Sequence, residues 1–120
     1  WNAAYTSVEH FTYLSGVLDS WCEKQNRDPA TLQRSINLTF NLGMNQSEVN
    51  AERTKMQEDW GPVADRIEKG ALLCTPTEAA DRIHAYREAG ASMINVALRA
   101  PWNVDALDAY LNEVIPSIKK

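Results

Sequence analysis

Arg99 stands at the end of a segment whose two faces carry different chemistry. In the run Ala91–Arg99, the alternation of a β-strand separates apolar side chains from more polar ones. One face carries Ile94, Val96 and Leu98, and the other carries Met93, Asn95, Ala97 and Arg99. A guanidinium at the end of an inward face is costly to bury without an anion. Arg99 is therefore a candidate to bind a phosphate or carboxylate, or to pair with a neighbouring carboxylate.

A second segment, Ser35–Leu42, alternates in the same way. Its apolar face comprises Ile36, Leu38, Phe40 and Leu42, and its polar face comprises Asn37, Thr39 and Asn41. Polar side chains on such a face can bind the carbonyls and ring nitrogens of a cofactor, or hydrogen-bond to one another and to water. Ligands gather at the carboxyl ends of parallel strands. Asn41 is the best-placed amide for this reason, and Asn95 is a further candidate.

Trp102 follows Arg99 by three residues. Its indole could form a wall of a ring-binding pocket, or it could pack in the turn between strand and helix. His10 and His84 lack partners at metal-ligand spacing, and the sequence has no Gly-rich phosphate loop. We interpret the carboxylates of one polar helix as a solvated face: Glu48, Glu52, Glu58 and Asp59. We accordingly predict no metal site and assign no catalytic residue.

Capping signals predict where the helices begin. The T-x-x-E box Thr6–Glu9 starts the first helix, and Asp28 caps a short turn. Thr75 begins a second capping box with Pro at the first helical position, Gly90 ends that helix, and Asn103 caps the closing one. Together with the apolar spacing, these signals predict helices over about residues 7–25, 46–59, 62–69, 76–89 and 104–118.

The predicted order is helix, strand, helices, strand and helix. Two parallel strands are then joined by a right-handed helical crossover. Two strands cannot bury both faces of a sheet, so other strands must complete an interior lined by the polar face. We therefore predict an α/β fold in which residues 1–120 form a single partial domain, with exposed edges beside residues 35–42 and 92–99.

Composition excludes several classes of protein. The 12 basic residues are outnumbered by 16 acidic ones, giving a formal charge of −4 and no electrostatic footprint for nucleic acid. No apolar run approaches the roughly 20 residues of a membrane helix, so we expect a soluble protein. Cys22 and Cys74 are far apart and favour buried or idle thiols over a disulfide, which fits a cytoplasmic location. The start at Trp1, without an initiator Met, is typical of the middle of a longer chain.

Several blocks together resemble the bacterial luciferase-like monooxygenase family, and within it the deazaflavin-dependent branch. They are Asn26–Ser35, Thr75–Ile83, Ile94–Trp102 and Asn112–Pro116. Members of this family are (β/α)8 TIM barrels of roughly three hundred residues. The resemblance covers this whole chain but only about the last third of a member. It implies that residues 7–25 are the sixth barrel helix, 35–42 the seventh strand, 92–99 the eighth strand and 104–118 the last helix.

The resemblance also implies a chemistry. A member transfers a hydride between a small organic substrate and coenzyme F-420 (8-hydroxy-5-deazaflavin) or FMN, or uses reduced flavin with oxygen. Asn41, Arg99, Asn95 and Trp102 are then candidates for cofactor binding. Most family contacts to the ring come from earlier strands, so the isolated chain is expected to be a poor catalyst. The alternative is a non-catalytic barrel fragment that self-associates or pairs with the missing amino-terminal portion.

One position departs from the family pattern. The family commonly has Gly before its Thr-Pro, whereas this chain has Cys74. A left-handed backbone there would strain a cysteine, so we expect the loop that leads to Thr75 to differ. Any phosphate or ribityl contact assigned to that loop depends on this difference.

Overall fold

The computed structural model describes residues 1–119, and its four strands form one parallel sheet. They are β1 (Asn2–Ala4), β2 (Ser35–Phe40), β3 (Ala71–Leu72) and β4 (Met93–Ala97). The central strand is β2, which pairs with all the others. β4 runs along one edge of β2, in register from Ser35 with Met93 to Thr39 with Ala97. β1 and β3 therefore follow one another along the opposite edge.

Helices occupy the connections between the strands. The α-helices are α1 (Val8–Lys24), α2 (Gln46–Trp60), α3 (Ala64–Glu68), α4 (Pro76–Glu88), α5 (Val104–Ala109) and α6 (Ile115–Ile118). Short 3₁₀ turns span Pro29–Thr31 and Gly61–Val63. A π-helical turn, Tyr110–Val114, joins α5 to α6, so the closing helix predicted over 104–118 is continuous but not uniformly α.

The apolar face of β2 forms the centre of the main core. Ile36, Leu38 and Leu42 are fully buried, as the alternation predicts. α1, α4 and the closing helix cover this outer face, where the Phe11 and Tyr86 rings meet edge to face. The sheet is thus covered on one side only.

The inner face of the sheet is open. Asn95 is exposed and Met93 is 55% exposed on this side of β4. The radius of gyration is 15.4 Å, compared with about 13.6 Å for a compact domain of this length. The open face accounts for the difference, because a layer of helices on one side of a small sheet remains flat.

Two strands were not predicted from alternation, although the family resemblance implies that Trp1-Asn2 is the end of the sixth barrel strand. β1 and β3 have only three and two residues, too few to show alternation. Their presence corrects the expected edges, because β2 is flanked on both sides and has no exposed edge. Among the described residues the free edges belong to β1 and β4.

Most capping predictions are confirmed. The Asp28 carboxylate accepts from the Ala30 N–H at 2.9 Å, and the Asn103 side chain accepts from the Ala106 N–H at 3.1 Å. The first box is wrong by one residue: Ser7, not Thr6, caps α1 and accepts from the His10 N–H. The Thr6 hydroxyl instead donates to the Ala4 carbonyl at the end of β1.

Further caps match their predictions. The Thr75 N–H donates to the Glu78 carboxylate at 3.0 Å, as a capping box requires. Gly90 has a φ of 109°, a conformation that favours glycine, immediately after α4. These signals fix the start and end of the helix that leads into β4.

Candidate functional site

Helix α2 lies across the carboxyl ends of β2 and β4. The Lys55 ammonium donates to the Pro101 carbonyl at 2.7 Å and to the Arg99 carbonyl at 3.4 Å. Both carbonyls belong to the segment that leaves β4. A lysine on α2 therefore fixes the backbone at the end of the strand that carries Arg99.

Two carboxylates of α2 make further connections to the strand ends. The Asn41 amide donates to Glu52 at 3.1 Å, and the Asn103 amide donates to Glu48 at 2.7 Å. With Lys55, these residues lie at helical spacing on one face of α2. The interpretation of Glu48 and Glu52 as a solvated face is therefore wrong, because both bind side chains beyond the strands.

The apolar stripe of α2 is also buried, which corrects the interpretation of this polar helix as solvated rather than part of a core. Val49 and Met56 are 3% and 2% exposed, in a second core with Ile67 and Leu73. Trp60 packs against this core. A small hydrophobic core and a set of polar contacts thus hold α2 in place together.

Arg99 stacks on an aromatic side chain of α2. Its guanidinium carbon lies 4.6 Å from the centroid of the Trp60 ring, a cation–π arrangement. The Tyr5 ring, at the end of β1, meets Trp60 edge to face at 5.6 Å. Side chains from β1, α2 and the end of β4 therefore converge at the carboxyl end of the sheet.

Beneath α2 is a cavity of about 20 Å³. Its lining comprises Tyr5, Thr39, Phe40, Asn41, Lys55, Asp59, Trp60, Ala97 and Arg99. A space of this size holds one water molecule and no larger ligand. The Thr39 hydroxyl is buried with no hydrogen-bond partner, and the residue is only 6% exposed. This unpaired hydroxyl is a polar group that a bound water can satisfy.

The structure brings two of the four candidate site residues together. Asn41 and Arg99 line the same cavity. Asn95 lies lower on the inner face, where its amide donates to Asn37 at 3.1 Å. Trp102 is 55% exposed beyond the end of β4 and does not line the cavity.

A larger cavity, of about 530 Å³, lies where β1 meets α1. It is lined by Ala4, Tyr5, Thr6, Ser7, His10, Arg66, Ile67 and Lys69. Two cationic side chains, Arg66 and Lys69, line this cavity beside the amino-terminal end of a 17-residue helix, and both features favour an anion. Sequence reasoning missed it because the cations, at the end of α3 and directly after it, lie far along the chain. The available signal was Thr6-Ser7, a capping pair directly after a strand.

Gly70 allows the loop after β1 to lie directly against the backbone that precedes β3. A Cβ atom at residue 70 would lie 2.1 Å from the Tyr5 carbonyl carbon and 2.3 Å from the Thr6 nitrogen. Tyr5 itself has a φ of 54°, which turns the chain sharply from β1 towards α1. The Thr6 carbonyl accepts from the Tyr86 hydroxyl at 2.6 Å, which anchors the same loop to α4.

Cys74 has no backbone strain. The described non-glycine residues with positive φ are Tyr5 and Asn26, so the left-handed conformation considered for residue 74 does not occur. Cys22 and Cys74 are free, buried thiols, as expected. Burial raises the pKa of the Cys74 thiol to about 11, and burial likewise raises the pKa of Tyr86 to about 12. Both groups are neutral at physiological pH.

Two further features of residues 1–119 bear on function. They contain no cluster of three or more His, Cys, Asp or Glu side chains arranged to hold a metal ion. No helix in this part of the chain is long and apolar enough to cross a bilayer.

No family model and no curated protein matches this sequence. Six chains of solved structures are similar to it, and two of these are oxidoreductases by their descriptions. One is an F420-dependent secondary alcohol dehydrogenase in complex with an F420-acetone adduct, with a TM-score of 0.75 and 14% identity over 99% of this chain and 42% of that one. The other is the long-chain alkane monooxygenase LadA, with a TM-score of 0.65 and 14% identity over 95% of this chain and 35% of that one. This chain spans less than half of either protein. It therefore has the α/β fold of part of a TIM barrel, with parallel strands flanked by helices.

Proposed function

We propose that this chain is the carboxyl-terminal portion of a luciferase-like oxidoreductase that binds coenzyme F-420 or FMN and a small organic substrate. The observation that carries the proposal is the similarity to an F420-dependent alcohol dehydrogenase over 99% of this chain. In this assignment β1, β2 and β4 are the sixth, seventh and eighth barrel strands. The expected location is the cytoplasm.

The described residues fit such a cofactor in two places. The open inner face presents the exposed Asn95 side chain, and a ring bound there would be flanked by the end of β4. The cavity beside Arg66 and Lys69 suits the phosphate of the cofactor, because two cations and a helix amino terminus favour an anion. The tricyclic ring supplies the hydride chemistry when it is bound.

The chain's own residues position the groups that can bind an anion. Lys55 holds the backbone at Arg99, and Trp60 holds its guanidinium by stacking. Arg99 is then directed towards the mouth of the barrel, where it can bind a phosphate or carboxylate of the substrate. Asn41 is fixed by Glu52 and donates from the same end of the sheet. Trp102, exposed after β4, forms a wall of the substrate pocket.

A direct test compares FMN with riboflavin, which lacks the phosphate. We expect native mass spectrometry and fluorescence titration of the 120-residue chain to show weak FMN binding, with riboflavin at least about tenfold weaker, or 1.4 kcal/mol. Coenzyme F-420 and its phosphate-free core form a second pair. Comparing the affinities of the two pairs identifies which ring is preferred. A chain that binds neither ring, or that binds both members of each pair equally, contradicts the proposal.

A double variant and a control test where the phosphate binds. Arg66→Met with Lys69→Met should abolish the preference for FMN over riboflavin, because the cavity loses both cations. Lys24→Met is the control, because Lys24 lies at the far end of α1. A preference for FMN that survives the double variant would place the phosphate elsewhere.

The open edges of β1 and β4 favour a second candidate role. Each edge leaves backbone donors and acceptors available for another strand. In that role the chain completes a barrel with another polypeptide, and catalysis belongs to the assembly. Native mass spectra that contain a larger partner polypeptide together with a flavin-sized ligand would support it.

A further inference from the structure

A cavity of about 410 Å³ lies in the outer layer, between α4 and the closing helix. Its volume falls within the range of small-molecule sites. The cavity is at the amino end of β4, whereas Asn41 and Arg99 lie at the carboxyl ends of the strands. It is therefore separate from the candidate functional site. Its lining comprises Ile83, Arg87, Ala91, Ser92, Ile94, Tyr110, Ile118 and Lys119.

Every wall of this cavity belongs to an element that the chain contains. Ile83 comes from α4, Ile94 from β4 and Tyr110 from the closing helix. The Arg87 guanidinium donates to the Ile118 carbonyl at 2.6 Å and so joins the ends of the two helices. Further strands of a barrel would extend the sheet from the free edges of β1 and β4, so they would not fill a gap between two outer helices.

The floor of the cavity is apolar. Ile83 and Ala91 are buried, at 1% and 7% exposure. Ile94 and Ile118 are only partly buried where they pack against the main core, and both line the cavity. An apolar ligand that covers these two side chains removes their remaining surface from water, which is favourable.

The mouth of the cavity is cationic. Arg87 and Lys119 are exposed and line it, and no carboxylate of residues 1–119 does so. Neither cation forms an ion pair within that part of the chain. The bond to the Ile118 carbonyl occupies one nitrogen of Arg87, so the remaining N–H groups of a fixed guanidinium are available to an anion.

Tyr110 adds a polar group inside the cavity. The residue is 7% exposed, and the structure gives its hydroxyl no hydrogen bond to residues 1–119. Burial raises the pKa of this phenol, so it is a neutral donor at physiological pH. Tyr110 also begins the π-helical turn, a feature that is frequent at functional sites.

We propose that this cavity binds a medium-chain carboxylic acid, with its apolar chain on Ile94 and Ile118 and its carboxylate at Arg87 and Lys119. Arginine binds carboxylates through parallel hydrogen bonds, which suits the head group. Inorganic phosphate is disfavoured, because the apolar floor offers nothing in return for its hydration. The site is independent of the proposed function, which concerns the opposite end of the sheet.

Titration of the 120-residue chain with octanoate, followed by amide chemical shifts, tests the proposal. We expect a Kd of about 0.1–1 mM, with the largest shifts at Ala91, Ser92 and Ile94. Octanol has the same apolar chain without the charge, and acetate has the charge without the chain. Each should bind at least about tenfold more weakly than octanoate.

Two charge variants and one blocking variant test the position of the ligand. Arg87→Met with Lys119→Met should weaken octanoate binding at least about tenfold and leave octanol binding unchanged, because only the cations are lost. Lys24→Met with Arg27→Met removes the same charge near the end of α1 and should leave both affinities unchanged. Ile94→Phe fills the cavity and should abolish binding of both ligands. Circular dichroism on each variant establishes that it is folded.

Several results would overturn the proposal. They are an absence of octanoate binding at about 10 mM, which exceeds the expected Kd, equal affinities for octanoate and octanol, and an octanoate affinity that the Arg87 and Lys119 double variant leaves intact. Shifts centred on other apolar residues, such as the exposed Tyr13 and Trp21 of α1, would also overturn it. None of these results bears on ring binding, which the comparison of FMN with riboflavin tests separately.

Discussion

Helices α1 and α2 each follow a parallel strand, yet they are attached to the sheet by different forces. α1 packs on the outer face through Phe11 and Cys22, which are 0% and 4% exposed. α2 crosses the carboxyl ends and is held by side chains such as Lys55 that bind carbonyl oxygens of loops, together with a small core. Burial of apolar area holds α1 on the sheet, whereas polar contacts determine where α2 lies. The same comparison predicts how each helix responds to substitution.

The largest effect should come from the outer layer. Phe11→Ala removes a ring that contacts both Trp1 and Tyr86, so we expect a loss of about 3–5 kcal/mol in the free energy of unfolding, measured in urea. Thr12→Ala, at the adjacent exposed position, should stay within about 0.5 kcal/mol of the unsubstituted chain. Equal losses at the two positions would mean that α1 is not the core helix described here.

The buried thiol of the outer layer should react slowly. Burial raises the pKa of Cys74 from 9.0 to about 11, so the thiolate is about a hundredfold rarer than in the unfolded chain at pH 8. In a Cys22→Ala background, labelling with a thiol reagent should be slower by about that factor in buffer than in urea. Equal labelling rates would show that water reaches Cys74 freely.

The same shift predicts a loss of stability at alkaline pH. Because the folded pKa is raised, the contribution of Cys74 is fully present below pH 9.0 and is lost as the pH rises towards about 11. Cys74→Ala should flatten the decline in unfolding free energy across this window, and the remaining slope reports other groups such as Tyr86. A decline that is identical in the variant would contradict this assignment.

A smaller effect is expected where α2 is attached. Lys55→Met removes two hydrogen bonds to carbonyl oxygens, so we expect α2 amides to exchange about tenfold faster, a local loss of about 1–2 kcal/mol. The amides of α1 should keep their protection. Glu58→Gln, a change at an exposed position of the same helix, serves as the control.

The smallest expected change is a gain. Thr39→Val replaces a buried, unpaired hydroxyl with a methyl group of similar size, and should raise the free energy of unfolding by about 1 kcal/mol. Ser15→Ala should act similarly in the outer layer, since its hydroxyl is also buried and unpaired. A loss of stability at Thr39 alone would indicate a bound water that its hydroxyl holds.

The sequence predicts the outer layer well because burial of one face gives the apolar residues a regular spacing along the sequence. β2, β4, α1 and α4 are recognised from alternation, helical spacing and caps. Alternation does not reveal β1 and β3, since they are strands only because the edge of β2 supplies their partners. The exact cap of α1 was missed because Thr6 and Ser7 are equivalent until the turn at Tyr5 is known.

The site is less predictable for a related reason. Asn41 and Arg99 were placed correctly at the carboxyl ends, because position along a strand determines which end a residue occupies. Glu48, Glu52 and Lys55 give the same polar pattern whether their helix face meets water or a loop. Only the path of the chain after β2 distinguishes the two cases, and no local pattern encodes that path.

That path also makes the segment between Gly43 and Gly70 an exchangeable unit. The Gly43 N–H donates to the Cys74 carbonyl at 3.1 Å, and the Thr39 N–H donates to the Gly70 carbonyl at 3.3 Å, so the segment leaves and rejoins the sheet at neighbouring points. Its small core also includes Ala71 and Leu73, where the chain rejoins the sheet. Replacing it with a segment of another length would change what covers the carboxyl ends of the strands and leave the parallel strands intact. The shape of this end of the sheet could thus change by exchange of one segment, without redesign of the sheet.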